Sequence, residues 1–245
     1  MNIKPYRMLV VGMTQTGKTF WVRNFLLPLL NRYVVYDPDI QFGPEFGVIV
    51  HSIKDFIAEF VEKRTSKVIF QPDDILLAKP KKMVAQFNKL CEVINMDKDM
   101  FFIIDEIANV TLAGRVRPRM PEMLNIIIKR RMKDGIGVCA TTQQLKDADV
   151  NYTSQTQLVV MFDMLPHDID YLEEKLPIKL PIRKDGAVAV LDIERYHFFV
   201  YNHMQRRVYE DCLTVTRGYE GDSTWVEPIF EGMPILRPMN GGRLL

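Results

Sequence analysis

The stretch Gly12-Met13-Thr14-Gln15-Thr16-Gly17-Lys18-Thr19 constrains this chain more than any other part of it. Its two glycines, followed at once by Lys and Thr, close a tight loop between an apolar run and a helix-like segment. The run is RMLVV (residues 7–11); the segment is FWVRNFLLPLL, whose apolar residues recur at helical spacing. A loop of this pattern curls consecutive backbone N–H groups around an anion, and the helix that follows points its positive end at the same place. Lys18 is then expected to reach the terminal phosphates of a nucleotide, and the Thr19 hydroxyl to take one position on a bound Mg2+. The whole segment Gly12 to Phe20 is the expected nucleotide-binding loop.

The rest of the chain sets the frame for that loop. A length of 245 residues allows one α/β domain with a substantial core, or one domain with appendages. Strand-like and helix-like runs alternate, which predicts a mainly parallel sheet flanked by helices. The strands are read at RMLVV, RYVVYDPD, GVIVHS, KVIFQP, MFFIIDE, IGVCATT and QLVVMF. The helices are read at FWVRNFLLPLL, IKDFIAEFVEKR, KKMVAQFNKLCEVINM and MLNIIIKRRMK. Past residue 166 the pattern weakens, and AVAVLDIE and YHFFVYN are expected to pair as antiparallel edge strands. Residues 1–205 form the expected ATPase domain. Residues 206–245, rich in Gly and Pro from Gly218, are expected to form an extension packing on the same or a neighbouring subunit.

Several functions are disfavoured early. The three cysteines are far apart and lack metal-ligand spacing, and the four histidines show none either. No apolar run approaches the length of a membrane span, and MNIKPYR lacks the apolar stretch of a signal peptide. The net charge is only +1, so affinity for a polyanion has to come from local clustering.

Two such local features stand out. The apolar run Phe101-Phe102-Ile103-Ile104 delivers Asp105 and Glu106 to a strand's carboxyl end, the edge where open α/β sheets bind ligands. Asp105 is the expected second support of the Mg2+, and Glu106 the expected base that orients and deprotonates an attacking water. This Asp-Glu pair favours ATP hydrolysis over transfer to a small acceptor. GTPases usually show Asp-x-x-Gly and Asn-Lys-x-Asp; here Asp105 is followed by Glu-Ile-Ala, and Asn88-Lys89 leads into Leu90-Cys91. The second feature is GRVRPRMPEMLNIIIKRRMK (114–133), with seven basic residues against the single acid Glu122. Arg115, Arg117 and Arg119 lie in a Gly- and Pro-containing loop suited to gripping phosphodiester backbone. Arg130 and Arg131 fall at a helix end, where cations also favour the helix dipole. No basic residue besides Lys18 has an evident path to the γ-phosphate within one chain, so Arg130 or Arg131 is expected to act across a subunit boundary. IGVCATT ends near Gln143, a polar amide placed to touch the γ-phosphate or its water.

Four stretches, GMTQTGKT, VVYDPD, FFIIDE and KRRMKDGIGVCATTQQL, together resemble the FtsK–HerA group of DNA-translocating ATPases. The similarity is greatest to the small genome-packaging ATPases of tailless viruses with an internal membrane, and it spans roughly residues 5 to 165. The resemblance implies a RecA-like core and a homo-oligomeric ring, often hexameric. It further implies ATP-driven movement of double-stranded DNA into a preformed viral capsid, with capsid or portal-vertex proteins as partners. The setting would be the host cytoplasm or the packaging vertex of the virion. It assigns Lys18 and Thr19 to nucleotide and magnesium, Asp105 and Glu106 to hydrolysis, and Gln143 to sensing the γ-phosphate. One departure concerns the arginine, which related sequences place two residues before the glycine of the turn; here three residues separate Arg131 from Gly135. A phage-assembly ATPase exporting single-stranded DNA and a P-loop nucleotide kinase are the alternatives.

Overall fold

A computed structural model describes residues 4–73, 80–111, 119–145, 148–175, 197–203, 207–212 and 237–238. The expected stretch AVAVLDIE, most of the C-terminal extension, and Arg115 and Arg117 lie outside these residues.

Ten strands form a single sheet in the order β10-β9-β8-β7-β1-β6-β5-β2-β4-β3. They are β1 (Arg7–Val11), β2 (Tyr33–Tyr36), β3 (Val48–Val50), β4 (Lys67–Phe70), β5 (Met100–Ile104), β6 (Ile136–Thr142), β7 (Leu158–Met161), β8 (His197–Asn202), β9 (Arg207–Cys212) and β10 (Arg237–Pro238). From β3 across to β7 every pairing is parallel. β8, β9 and β10 extend that edge with antiparallel pairings. β8 is antiparallel as expected, but it is no edge strand: it pairs with β7 and β9, and its expected pairing with AVAVLDIE lies outside the described residues.

The near-continuous apolar runs of the central strands follow from burial on both faces. Alternate residues of each strand serve opposite layers. Leu9, Val11, Val34, Tyr36, Phe102 and Ile104 pack on one side. Met8, Val10, Tyr33, Val35, Phe101 and Ile103 pack on the other. The first layer is closed by α3 (Pro80–Asn95) and α4 (Glu122–Arg130), which contribute Phe87, Leu90, Leu124 and Ile127. The second is closed by α1 (Lys18–Trp21) and the π-helical turn that continues it, through Trp21, Val22 and Leu26.

Helix α1 does not stay regular. It widens to a π-helix over Val22–Leu26 and tightens to 3-10 over Leu27–Leu29. Pro28 has no N–H to give the ladder, which ends the α-type pattern there. Helix α2 (Ile53–Phe56) begins with a capping arrangement: the Ser52 hydroxyl accepts the Asp55 N–H at 3.1 Å and donates to the Asp55 carboxylate at 2.6 Å. It too passes into a π-helix, over Ile57–Glu62. After α4 a 3-10 turn (Arg131–Asp134) ends at Gly135, whose φ of 81° suits glycine. A Cβ there would fall 3.0 Å from the backbone of Asp99, so the turn from the basic helix into β6 has room for glycine alone. The remaining α-helices among the described residues are α5 (Val150–Gln155) and α6 (Pro166–Lys175).

Candidate nucleotide site

The loop after β1 has the backbone that its glycines forecast. Gly12, Gln15 and Gly17 all have positive φ, at 155°, 63° and 120°. A Cβ on Gly12 would stand 2.5 Å from the Cβ of Phe162 at the end of β7, so a side chain here would displace the loop from the sheet. The loop is fastened at several points. Gly12 N–H donates to Thr142 O at 3.3 Å and Met13 N–H to Asp163 O at 2.8 Å. The Thr16 hydroxyl donates to Met13 O at 2.8 Å. Lys18 folds back into it, its Nζ donating to Gly12 O at 2.7 Å and Met13 O at 2.8 Å.

One open cleft of about 560 Å³ gathers Thr14, Gln15, Gly17, Lys18, Thr19 and Phe20 with Asp105, Glu106 and Gln143. Parallel pairing explains the gathering: β1, β6, β5 and β2 all end at the same edge. Asp105, 4% exposed, is steadied by the Thr141 hydroxyl, which donates to its carboxylate at 2.9 Å. The same Thr141 oxygen accepts the Glu106 N–H at 2.8 Å. Glu106 adopts a left-handed backbone, φ 53°, which turns it out of the strand line into the cleft. Gln143 is exposed at the tip of β6 and accepts a hydrogen bond from the Thr14 hydroxyl at 3.0 Å, tying strand tip to loop.

Charge is concentrated here. Burial raises the Asp105 carboxyl to about 7; the Thr141 hydroxyl opposes this, while the charges of Asp37, Asp39 and Glu106 reinforce it. Burial also raises Glu106, against the pull of Lys18, the Gln143 and Ala108 amides and the Thr142 hydroxyl. Lys18 is lowered by burial and supported by Glu106 and Asp105. A buried carboxylate with surplus negative neighbours suits a cation. Among the described residues, no three His, Cys, Asp or Glu stand close enough to hold a metal unaided. A divalent ion here would need Thr19, Asp105, water and ligand oxygens together, the way Mg2+ is usually held.

The cleft also holds residues that the sequence reading passed over: Arg23, Asp39, Gln41 and Thr141. Arg23 is a second cation of the same chain lining the cleft beside Lys18. It lies one helical turn after Thr19, and its guanidinium stacks over Phe42 and Phe46 at 5.1 and 5.5 Å from the ring centroids. The four-residue spacing from Thr19 was the available signal.

The arginines expected elsewhere are not in this cleft. Arg130 and Arg131 lie before the start of β6, at the opposite end of that seven-residue strand from the cleft. Arg131 is committed there: it pairs with Asp134 at 2.8 Å and donates to Asp97 O at 2.8 Å. Asp97 is itself clamped by Arg32 at 2.6 and 2.7 Å. Arg130 is exposed and makes no ion pair among the described residues. Arg119 is exposed beside Met120, whose N–H donates to the buried Asp149 carboxylate at 2.8 Å.

No protein-family model matches the sequence, and no curated protein does. Solved structures do match. The genome packaging NTPase B204 of Sulfolobus turreted icosahedral virus 2, solved with ATP-gammaS, superposes with a TM-score of 0.62 at 16% identity. The match covers 84% of this chain and 96% of that one. B204 of Sulfolobus turreted icosahedral virus, a DNA-packaging ATPase, gives 0.61 at 16%, covering 86% and 98%. VirB4 of Thermoanaerobacter pseudethanolicus gives 0.61 at 9%, covering 81% and 87%. No helix among the described residues is long and apolar enough to cross a membrane. Sheet order, loop geometry and these superpositions together make this an α/β chain with the RecA-like P-loop NTPase fold, in the architecture of B204 and VirB4.

Proposed function

We propose that this protein is an ATPase motor that drives double-stranded DNA into a preformed viral capsid. The observation that carries the reading is the convergence of Lys18, Thr19, Asp105, Glu106 and Gln143 on one cleft, in a fold shared with a DNA-packaging ATPase. The loop amides would hold the phosphates of ATP, and Lys18 would swing from its carbonyl partners onto the terminal ones. Mg2+ at Thr19 and Asp105 would neutralise charge on the phosphate oxygens. Glu106, its proton affinity raised by burial, is suited to orient water and accept its proton. Gln143, tethered to Thr14, would register whether a γ-phosphate is present and pass that to the tip of β6.

The distance between the two ends of β6 favours a homo-oligomeric ring, six subunits in the usual form, in which an arginine of one subunit reaches the nucleotide of the next. Arg130 suits this better than Arg131, because it is exposed and uncommitted. The segment containing Arg115, Arg117 and Arg119 would grip the duplex backbone. Such a motor would meet capsid or portal proteins at the packaging vertex, in the host cytoplasm or on the virion.

The direct test is ATP turnover with and without double-stranded DNA, alongside native mass. Turnover stimulated by duplex and a ring-sized mass are expected. Turnover indifferent to DNA in a monomer, with phosphate passed to a small acceptor, would favour the nucleotide-kinase alternative. Stimulation by single strands alone would favour the export alternative. A second prediction addresses the ring. Lys18→Ala and Arg130→Ala subunits should each be inactive, yet mixing them should restore part of the activity, since a mixed ring pairs an intact loop with an intact neighbouring arginine. A trans arginine contributes on the order of 10³- to 10⁵-fold in rate. Mixed rings that form but recover nothing would remove Arg130 from this role.

A further inference from the structure

The motif VVYDPD ends β2, and neither of its acids has a part in the mechanism above. Asp37 is fully buried and already satisfied. Its carboxylate accepts the N–H groups of Gln41 at 2.8 Å and Phe42 at 2.9 Å, and the Gln71 side-chain amide at 2.8 Å. These bonds fold residues 37–42 into a tight turn whose crest is Asp39 and Ile40. The turn is held against a penalty. Ile40 has φ 52°, in the left-handed region that a β-branched residue avoids, and is 62% exposed. Burying the ring of Phe42 at its far end anchors it further.

This turn sets Asp39 opposite the nucleotide loop. β2 and β5 are hydrogen-bonded neighbours with Tyr36 level with Ile104, and Asp105 N–H donates to Tyr36 O at 2.9 Å. The acids that follow the two strands therefore emerge side by side. Asp39 lines the same cleft as Thr19 and Asp105, and its carboxylate has no hydrogen bond or ion pair among the described residues. Glu106 approaches from the other flank, beside Lys18 and the tip of β6. Asp105 feels the charges of Asp37 and Asp39 more than that of Glu106, its own neighbour in sequence.

We infer that Asp39 is a positioning residue for the divalent cation of the nucleotide site, accepting hydrogen bonds from the ion's water shell on the flank away from Glu106. This rests on the ATPase reading above. An outer position is indicated because Asp39 is exposed and no three acidic or histidine groups close on one point. Mg2+ in such sites keeps several waters, which need acceptors to orient them. Buried Asp37 acts through Asp39 by holding the turn.

The test compares the wild type with Asp39→Asn and Asp39→Glu, using binding of a fluorescent ADP analogue titrated with MgCl2 and, separately, in excess EDTA. Asp39 is exposed, so the variants are expected to fold, and circular dichroism checks that they do. For Asp39→Asn the Mg2+ midpoint should rise roughly 10- to 100-fold, with affinity in EDTA unchanged or slightly improved. Asp39→Glu should restore most of the midpoint. An unchanged midpoint in Asp39→Asn overturns the inference, as does an equal loss with and without metal, which would mark a structural role. A wild type that binds no nucleotide in either condition would sink the ATPase reading itself, and this inference with it.

Discussion

Asp105→Asn is expected to stabilise the nucleotide-free protein above neutral pH while abolishing the gain in nucleotide affinity that Mg2+ provides. Asp105 lies at 4% exposure among other carboxylates, and its pKa is raised from 3.8 to about 7. A carboxyl whose folded pKa exceeds its unfolded one favours the fold in its protonated form. That contribution is complete below about pH 4 and is lost as pH rises through about 7. Three pKa units correspond to at most about 4 kcal/mol, since one unit is 1.36 kcal/mol. Asparagine keeps an oxygen to accept the Thr141 hydroxyl and carries no charge. The stability difference, mutant minus wild type, should therefore be small near pH 4, widen between pH 4 and 7, and level off above. Urea unfolding at three pH values reads it directly. A mutant less stable than wild type at pH 8 would mean that the extra strength of the Thr141 hydrogen bond to a charged acceptor outweighs the cost of the unneutralised charge.

Glu106→Gln should lower ATP turnover by about 10²- to 10⁴-fold while Mg-nucleotide binding survives. The amide keeps the shape of the side chain but cannot accept the proton of an attacking water. Burial, which raises Glu106, makes it the better base at neutral pH, and Lys18 beside it limits the rise. Single-turnover kinetics with binding measured in parallel separates the two effects. Loss of Mg-nucleotide binding in the variant would move Glu106 into the metal's surroundings and leave the water without its base.

Much of this was legible in the sequence because the signals were local. The two-glycine loop dictates positive φ at Gly12 and Gly17, and the run Phe101–Ile104 can only be a strand buried on both faces. Once both strands are parallel members of one sheet, Lys18, Asp105 and Gln143 must share an edge. What escaped notice depends on longer range. Arg23 faces the cleft because the 42–46 segment supplies rings for it to stack on, and only the fold brings that segment back to α1. Asp39 is presented by a turn that needs Gln71 from β4's end, far along the chain. Strand β9, RVYEDC, went unread because its alternation is weak and its pairing with β8 comes from tertiary context. Spacing to Gly135 left Arg130 and Arg131 both open, and the bonds of Arg131 to Asp134 and Asp97 separate the two.

The inward fold of Lys18 has a consequence for which ligands the loop can discriminate. In the conformation seen here the ammonium already holds two good acceptors, Gly12 O and Met13 O. A ligand gains the lysine only by offering something better than two neutral carbonyls. A charge-assisted bond is roughly twice as strong as a neutral one, so an oxygen bearing full phosphate charge and placed near the helix start would win the exchange. A nucleoside or a monophosphate anchored by its base would leave the lysine where it is. On the proposed ATPase reading, the loop would measure the length of a phosphate chain through the conformation of a single side chain.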